Sequence, residues 1–126
     1  MNRTITMYGL PNCDTCRKAM KSLQARGYEP RLVSVREAPP SAEELAAMIE
    51  ASGLPIGRWF NVNGDVYKST GLKDKLPHMT REEQIRLMAS DGMLIKRPVV
   101  YDGSRATVGY KEDAYAAAWP GPESRA

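Results

Sequence analysis

Cys13 and Cys16 are the two cysteines of the 126-residue chain, three positions apart in Cys13-Asp14-Thr15-Cys16. A pair at this spacing can close a disulfide, supply half of a metal site, or pack inertly in a core. Structural zinc takes four ligands, and the other strong ligand of that kind is His78, so a zinc site within one chain is poorly served. His78 itself, in Leu76-Pro77-His78-Met79, reads as a loop side chain rather than a catalytic base. A disulfide across so short a loop stabilises a fold little. The pair is therefore expected to react. Cys13 follows the turn Gly9-Leu10-Pro11-Asn12 and directly precedes a helical pattern. The free N–H groups and dipole at a helix start favour a thiolate. Arg17 and Lys18 add positive charge there, while Asp14 opposes it. Cys16 falls one turn further in, on the apolar face, where burial leaves it less acidic. The asymmetry assigns Cys13 the attack on a disulfide or oxidant. Cys16 then resolves the mixed disulfide or sulfenic acid.

The elements that would position this pair follow from periodicity. Thr4 to Tyr8 alternates and predicts a strand. Asp14 to Arg26 predicts a helix with Cys16, Ala19, Met20 and Leu23 on one face, stopped by Gly27. Arg31 to Val35 predicts a second strand, completing a βαβ unit whose crossover favours parallel pairing. After Pro39-Pro40, Ser41 and Glu44 form a capping box ahead of the stripe Leu45, Met48 and Ile49. Arg58 to Asn61 and Val66 to Thr70 predict short helical turns. Thr80 and Glu83 form a second capping box, opening a helix that runs to about Ser90. Pro98 to Tyr101, Asp102-Gly103 and Arg105 to Val108 predict a β-hairpin, and Lys111 to Trp119 a closing helix. The pattern is an α/β fold in one domain over residues 1–119: βαβ at about 4–36, a helical insertion at about 38–91 and ββα at about 94–119. Residues 120–126 are expected to form a flexible tail.

The bulk numbers describe an ordinary globular chain, with 42% apolar and 26% charged residues. A net charge of +3 is too small to argue for nucleic-acid or membrane binding. Met1 to Thr6 carries no apolar signal-peptide core, and no stretch approaches a membrane span. The reading is a cytoplasmic monomer.

The segment Met7-Tyr8-Gly9-Leu10-Pro11-Asn12-Cys13-Asp14-Thr15-Cys16-Arg17-Lys18-Ala19 resembles the nucleophile loop of the arsenate-reductase-like family, the ArsC/Spx/YffB group. Leu72 to Pro77, Leu94 to Val100 and Val108 to Asp113 resemble its later motifs, so the likeness runs from about Thr4 to Trp119. It implies a thioredoxin-like fold, with βαβ and ββα halves on one mixed sheet and a helical insertion. It implies that Cys13 is the nucleophile, that Pro98 is the cis proline facing the site, and that Arg97 points toward the thiolate as its stabiliser. Asn12, Thr15 and Arg17, with Pro98, are the expected substrate-binding residues. Arsenate reductases of this type carry three arginines around the oxyanion. Arg97 matches one, whereas Asn61 and Gly109 stand near the other two, with Arg58 a candidate substitute. The resemblance implies no metal or organic cofactor. Electrons would come from thioredoxin, glutaredoxin or glutathione. It leaves two functions open: a reductase cycling between dithiol and disulfide, or a Spx-like regulator that binds RNA polymerase and senses oxidation through the same pair.

Overall fold

Alternation in the first strand sends its side chains to two separate cores. In the computed structural model, which describes residues 4–121, strand β1 (Thr4–Gly9) is followed by helix α1 (Asp14–Ala25) and strand β2 (Glu29–Ser34). The chain then runs through α2 (Ala42–Ser52), α3 (Asp65–Ser69), α4 (Leu72–Lys75) and α5 (Arg81–Ser90). It closes with β3 (Val99–Tyr101), β4 (Ala106–Val108) and α6 (Glu112–Ala118). The strands lie in the order β2-β1-β3-β4. β1 and β2 are parallel, with Thr4 opposite Glu29 and Gly9 opposite Ser34. β3 is antiparallel to both β1 and β4, with Val100 opposite Met7 and Thr107. A βαβ half and a ββα half on one mixed sheet make the fold thioredoxin-like.

Ile5, Met7 and Val100 pack on one face with Ala19 and Leu23 of α1 and Tyr115 and Trp119 at α6. Tyr8 and Val99 face the other way, into a larger core of Leu45, Met48, Ile49, Ile85 and Met88 from α2 and α5, with Trp59 and Phe60. Successive residues of a strand point to opposite faces, so one sheet separates two apolar layers. Each fully buried aliphatic side chain there contributes roughly 1.5–3 kcal/mol.

Both capping boxes form. Ser41 Oγ accepts the Glu44 N–H at 3.1 Å and Glu44 Oε1 accepts the Ser41 N–H at 3.0 Å. Thr80 and Glu83 exchange the same two bonds. Several boundaries differ from the sequence reading; the short turn read at Arg58 to Asn61, for example, lies at Ile56–Trp59. β2 starts at Glu29, two residues early, and ends at Ser34, so Pro30 lies within it. β2 is an edge strand, where a residue without an N–H is tolerated. Gly27, at φ 88°, turns the chain out of α1, and the Tyr28 N–H returns to the Leu23 carbonyl at 3.0 Å. Leu72 to His78, read only as a motif, forms α4 and then a 3₁₀ turn (Leu76–His78), and His78 is exposed at the end of that turn. The hairpin turn spans Asp102 to Arg105, and the Asp102 carboxylate accepts the N–H groups of Ser104 and Arg105.

No helix among the described residues is long and apolar enough to cross a membrane. Of the flexible tail expected at 120–126, residues 122–126 fall outside the described residues, as does the N-terminal reading at 1–3, while the Pro120 carbonyl accepts the Tyr28 hydroxyl at 3.2 Å.

Candidate active site

Cys13 is the N-cap of α1. Its backbone is extended, at φ −90° and ψ 119°, and its N–H bonds the Leu10 carbonyl at 3.3 Å. An N-cap side chain ordinarily accepts a hydrogen bond from an orphan N–H of the first turn. Here sulfur fills that role, since the Cys16 N–H donates to Cys13 Sγ at 3.3 Å. Both thiols are free; Cys13 is partly exposed and Cys16 is buried.

The Cys16 thiol is pushed up to about 11. Burial is the largest cause, its hydrogen bond with the Cys13 side chain comes next, and the nearby Arg97 charge pulls in the opposite direction. Arg97 lines the same cavity as Cys13. Its Nε and Nη1 are buried without a hydrogen-bond partner, an arrangement native proteins keep for a reason. The Arg97–Pro98 peptide is cis.

Cys13 opens on a cavity of about 500 Å³. Thr15, Arg58, Asn61, Lys96, Arg97, Gly109, Tyr110 and Lys111 line it, with Thr107 and Tyr115. The helical insertion reaches this cavity through a short backbone bridge. Phe60 pairs antiparallel with Ile95, the Asn61 N–H bonds the Leu94 carbonyl at 2.8 Å, and the Lys96 N–H bonds the Trp59 carbonyl at 2.8 Å. These bonds hold Arg58 and Asn61 beside the segment that carries Lys96 and Arg97. On the opposite wall, the Tyr115 hydroxyl donates to the Gly109 carbonyl at 3.3 Å. Its ring meets Tyr110 edge-on at 4.8 Å. Burial pushes the Tyr115 hydroxyl up, so it stays a donor. Glu112 accepts hydrogen bonds from Ser22 Oγ at 2.7 Å and from Arg26 at 3.1 Å, tying α6 to α1. The Ser22 bond, followed by Arg26, holds the Glu112 carboxyl below its ordinary value.

Of the residues expected from sequence, Cys13, Thr15 and Arg97 meet at this cavity, as do Arg58 and Asn61. Arg17 does not. It is exposed and paired with Asp14, and it lines a separate apolar cleft of about 230 Å³ with Met7, Leu10, Met20 and Leu32. Cys16 borders that second cleft. Asn12 is exposed and Pro98 is buried, and neither lines the larger cavity. Lys96, Thr107, Tyr110 and Tyr115 were not singled out from sequence. Lys96 stands next to Arg97, but only the pairing of residues 60 and 95 turns it toward the site. Among the described residues, no group of three or more His, Cys, Asp or Glu side chains is placed to hold a metal.

The arrangement has counterparts. The chain is 49% identical over 116 residues to the uncharacterised YusI protein of Bacillus subtilis, covering 92% of this chain and 98% of the relative. It is 36% identical over 97 residues to an arsenate reductase of Rhizobium meliloti, covering 77% and 68%. The crystal structure of an ArsC family related protein from Bacteroides fragilis superposes with a TM-score of 0.85 at 40% identity, covering 90% of this chain and 96% of that one. The family model for ArsC matches residues 8–118, the span holding the dithiol, the cis proline and both walls of the cavity, and the chain belongs to the ArsC family.

Proposed function

We propose that the protein is a thiol–disulfide oxidoreductase of arsenate-reductase-like type, with Cys13 attacking and Cys16 resolving. One observation carries the reading: Cys13 Sγ caps α1 and receives the Cys16 N–H, while the Cys16 thiol is held protonated in the same turn. In the first step the Cys13 thiolate attacks one sulfur of a disulfide R–S–S–R′. A Cys13–S–S–R bond forms, and R′S⁻ leaves and takes up a proton. The Cys13 thiolate no longer exists in that intermediate. Its contribution to holding Cys16 protonated is gone, while the Arg97 charge remains. The step that creates the target thus relaxes the second cause of the raised Cys16 thiol, while burial, the largest, persists. Cys16 then gives up its proton, its sulfur attacks Cys13 Sγ and expels RS⁻, which takes up a proton, and two electrons have passed from the dithiol to the substrate. Thioredoxin, glutaredoxin or glutathione returns them by a further exchange.

Relatives named arsenate reductase support thiol-redox chemistry, and the regulator that binds RNA polymerase is the second reading. A pull-down with polymerase subunits tests the regulator directly. The redox reading is tested by mild oxidation with hydrogen peroxide, alkylation and intact mass. Both thiols should become blocked together and reappear together after dithiothreitol. Two independently alkylatable thiols after oxidation would sink the assignment.

A further inference from the structure

The cavity beside Cys13 holds more positive charge than exchange between two cysteines requires. Arg58, Lys96, Arg97 and Lys111 line it and no carboxylate does. Two nitrogens of Arg97 are buried and unanswered, and a buried guanidinium nitrogen without an acceptor is the complement of an anionic ligand. Lys96 is exposed and forms no ion pair among the described residues. Its side chain lies across Gly109. A Cβ built on Gly109 would stand 3.2 Å from Lys96 Cε and 3.7 Å from Nζ. Gly109 sits at φ 79°, where L residues are strained, and its N–H is fixed to the Pro98 carbonyl at 2.9 Å. The bare glycine leaves the room that the lysine occupies. Lys96 also lines the neighbouring hollow with Arg58 and Asn61, so its side chain borders the cavity between the Gly109 side and the Asn61 side.

We propose that Lys96, lying over Gly109, is a specificity residue that draws the carboxylate of an incoming thiol or disulfide partner toward Arg97 and so beside Cys13. The preferred substrates are disulfides bearing a carboxylate a few bonds from sulfur. The proposal rests on Cys13 being the attacking thiol, and its test separates the two. In a Cys16→Ser background Cys13 is the sole thiol. Its thiolate displaces iodide from iodoacetate or iodoacetamide, forming the same sulfur–carbon bond. The reagents differ in bearing a carboxylate or a neutral amide. At low salt, Lys96→Met should lower the iodoacetate-to-iodoacetamide rate ratio about fivefold, as expected for one lost partly exposed charge contact. Lys96→Arg should keep the ratio, and high salt should erase most of the difference. Gly109→Ala, with its fold checked by circular dichroism, should lower the ratio by displacing the lysine. A ratio unchanged in Lys96→Met, or an equal fall in both rates, overturns the proposal. Slow alkylation by both reagents with Lys96 in place would instead count against Cys13 as the attacking thiol, while the ratio would still read Lys96.

Discussion

Cys13 and Cys16 sit one helical turn apart; one receives a backbone N–H and is partly exposed, and the other is sealed from water and held protonated. Iodoacetamide should therefore alkylate the Cys16→Ser protein at least about tenfold faster than Cys13→Ser at neutral pH. Comparable rates would erase the division of roles. The raised Cys16 thiol also has a consequence for stability, with a definite sign. The folded state binds the Cys16 proton more tightly than the unfolded chain does. Its contribution is thus complete below a free thiol's pKa of about 8.5 and is lost as the pH rises through about 11. Urea unfolding of wild type should lose about 1–2 kcal/mol across that window relative to Cys16→Ala. Tyr115, raised chiefly by burial in both proteins and secondarily by Cys16, contributes mostly in common to the two curves, and parallel pH curves would contradict the Cys16 assignment. Arsenate tests a different pair of residues. Asn61 and Gly109 line the cavity where the resemblance places arginines. Each missing charge-assisted donor costs roughly 1.5–3 kcal/mol, so turnover should fall by about two to four orders of magnitude. A coupled NADPH assay should show arsenate reduction near background with glutathione, glutaredoxin or thioredoxin. Turnover near ~10 per second would make Arg58 an oxyanion ligand. The dithiol was legible in the sequence as a local motif, whereas Arg97 and the two departures were readable only through the resemblance to the family's motifs. Lys96 was not, because its direction depends on hydrogen bonds from residues 59–61, more than thirty positions away.

Among the elements, those with self-contained signals were readable. The two capping boxes, α1 with its apolar face and the Asp102-Gly103 turn each carry their own hydrogen-bonding logic. α4 carries no capping side chain and begins after Gly71 at φ 66°, so nothing local announced it. The early start of β2 depends on its place at the sheet edge, a property of topology rather than of Pro30. One loop between elements is tightly constrained. Gly92 is buried, and a Cβ there would lie 1.7 Å from the Val35 carbonyl oxygen. That oxygen belongs to the backbone just after β2, so it cannot swing away as a side chain would. Gly92→Ala should destabilise the fold by roughly 3 kcal/mol, measured by urea denaturation. A change within about 0.5 kcal/mol would show that the segment after α5 yields freely.

At the scale of the whole molecule, the sheet separates two apolar layers while the helices between β2 and β3 deliver one wall of the active cavity. Trp59 and Trp119 mark the two layers. Trp59 Nε1 donates to Ser52 Oγ at 3.1 Å on the insertion side, and Trp119 Nε1 donates to Thr107 Oγ1 at 3.1 Å beside β4. The cavity thus joins the loop–helix junction at Cys13, the insertion at Asn61 and the ββα half at Arg97 and Gly109. In the proposed function, chemistry at Cys13 draws on all three, and the order of the two thiols is its central feature. The most direct measurement is intact mass after mixing equimolar disulfide substrate with wild type and with Cys16→Ser. The variant should retain a stoichiometric adduct on Cys13. Wild type should carry none and should have lost two hydrogens to an internal disulfide. A persistent adduct on wild type, or an adduct on Cys16 in Cys13→Ser forming as fast as the one on Cys13, would contradict the assignment of Cys13 as attacking thiol and Cys16 as resolving thiol.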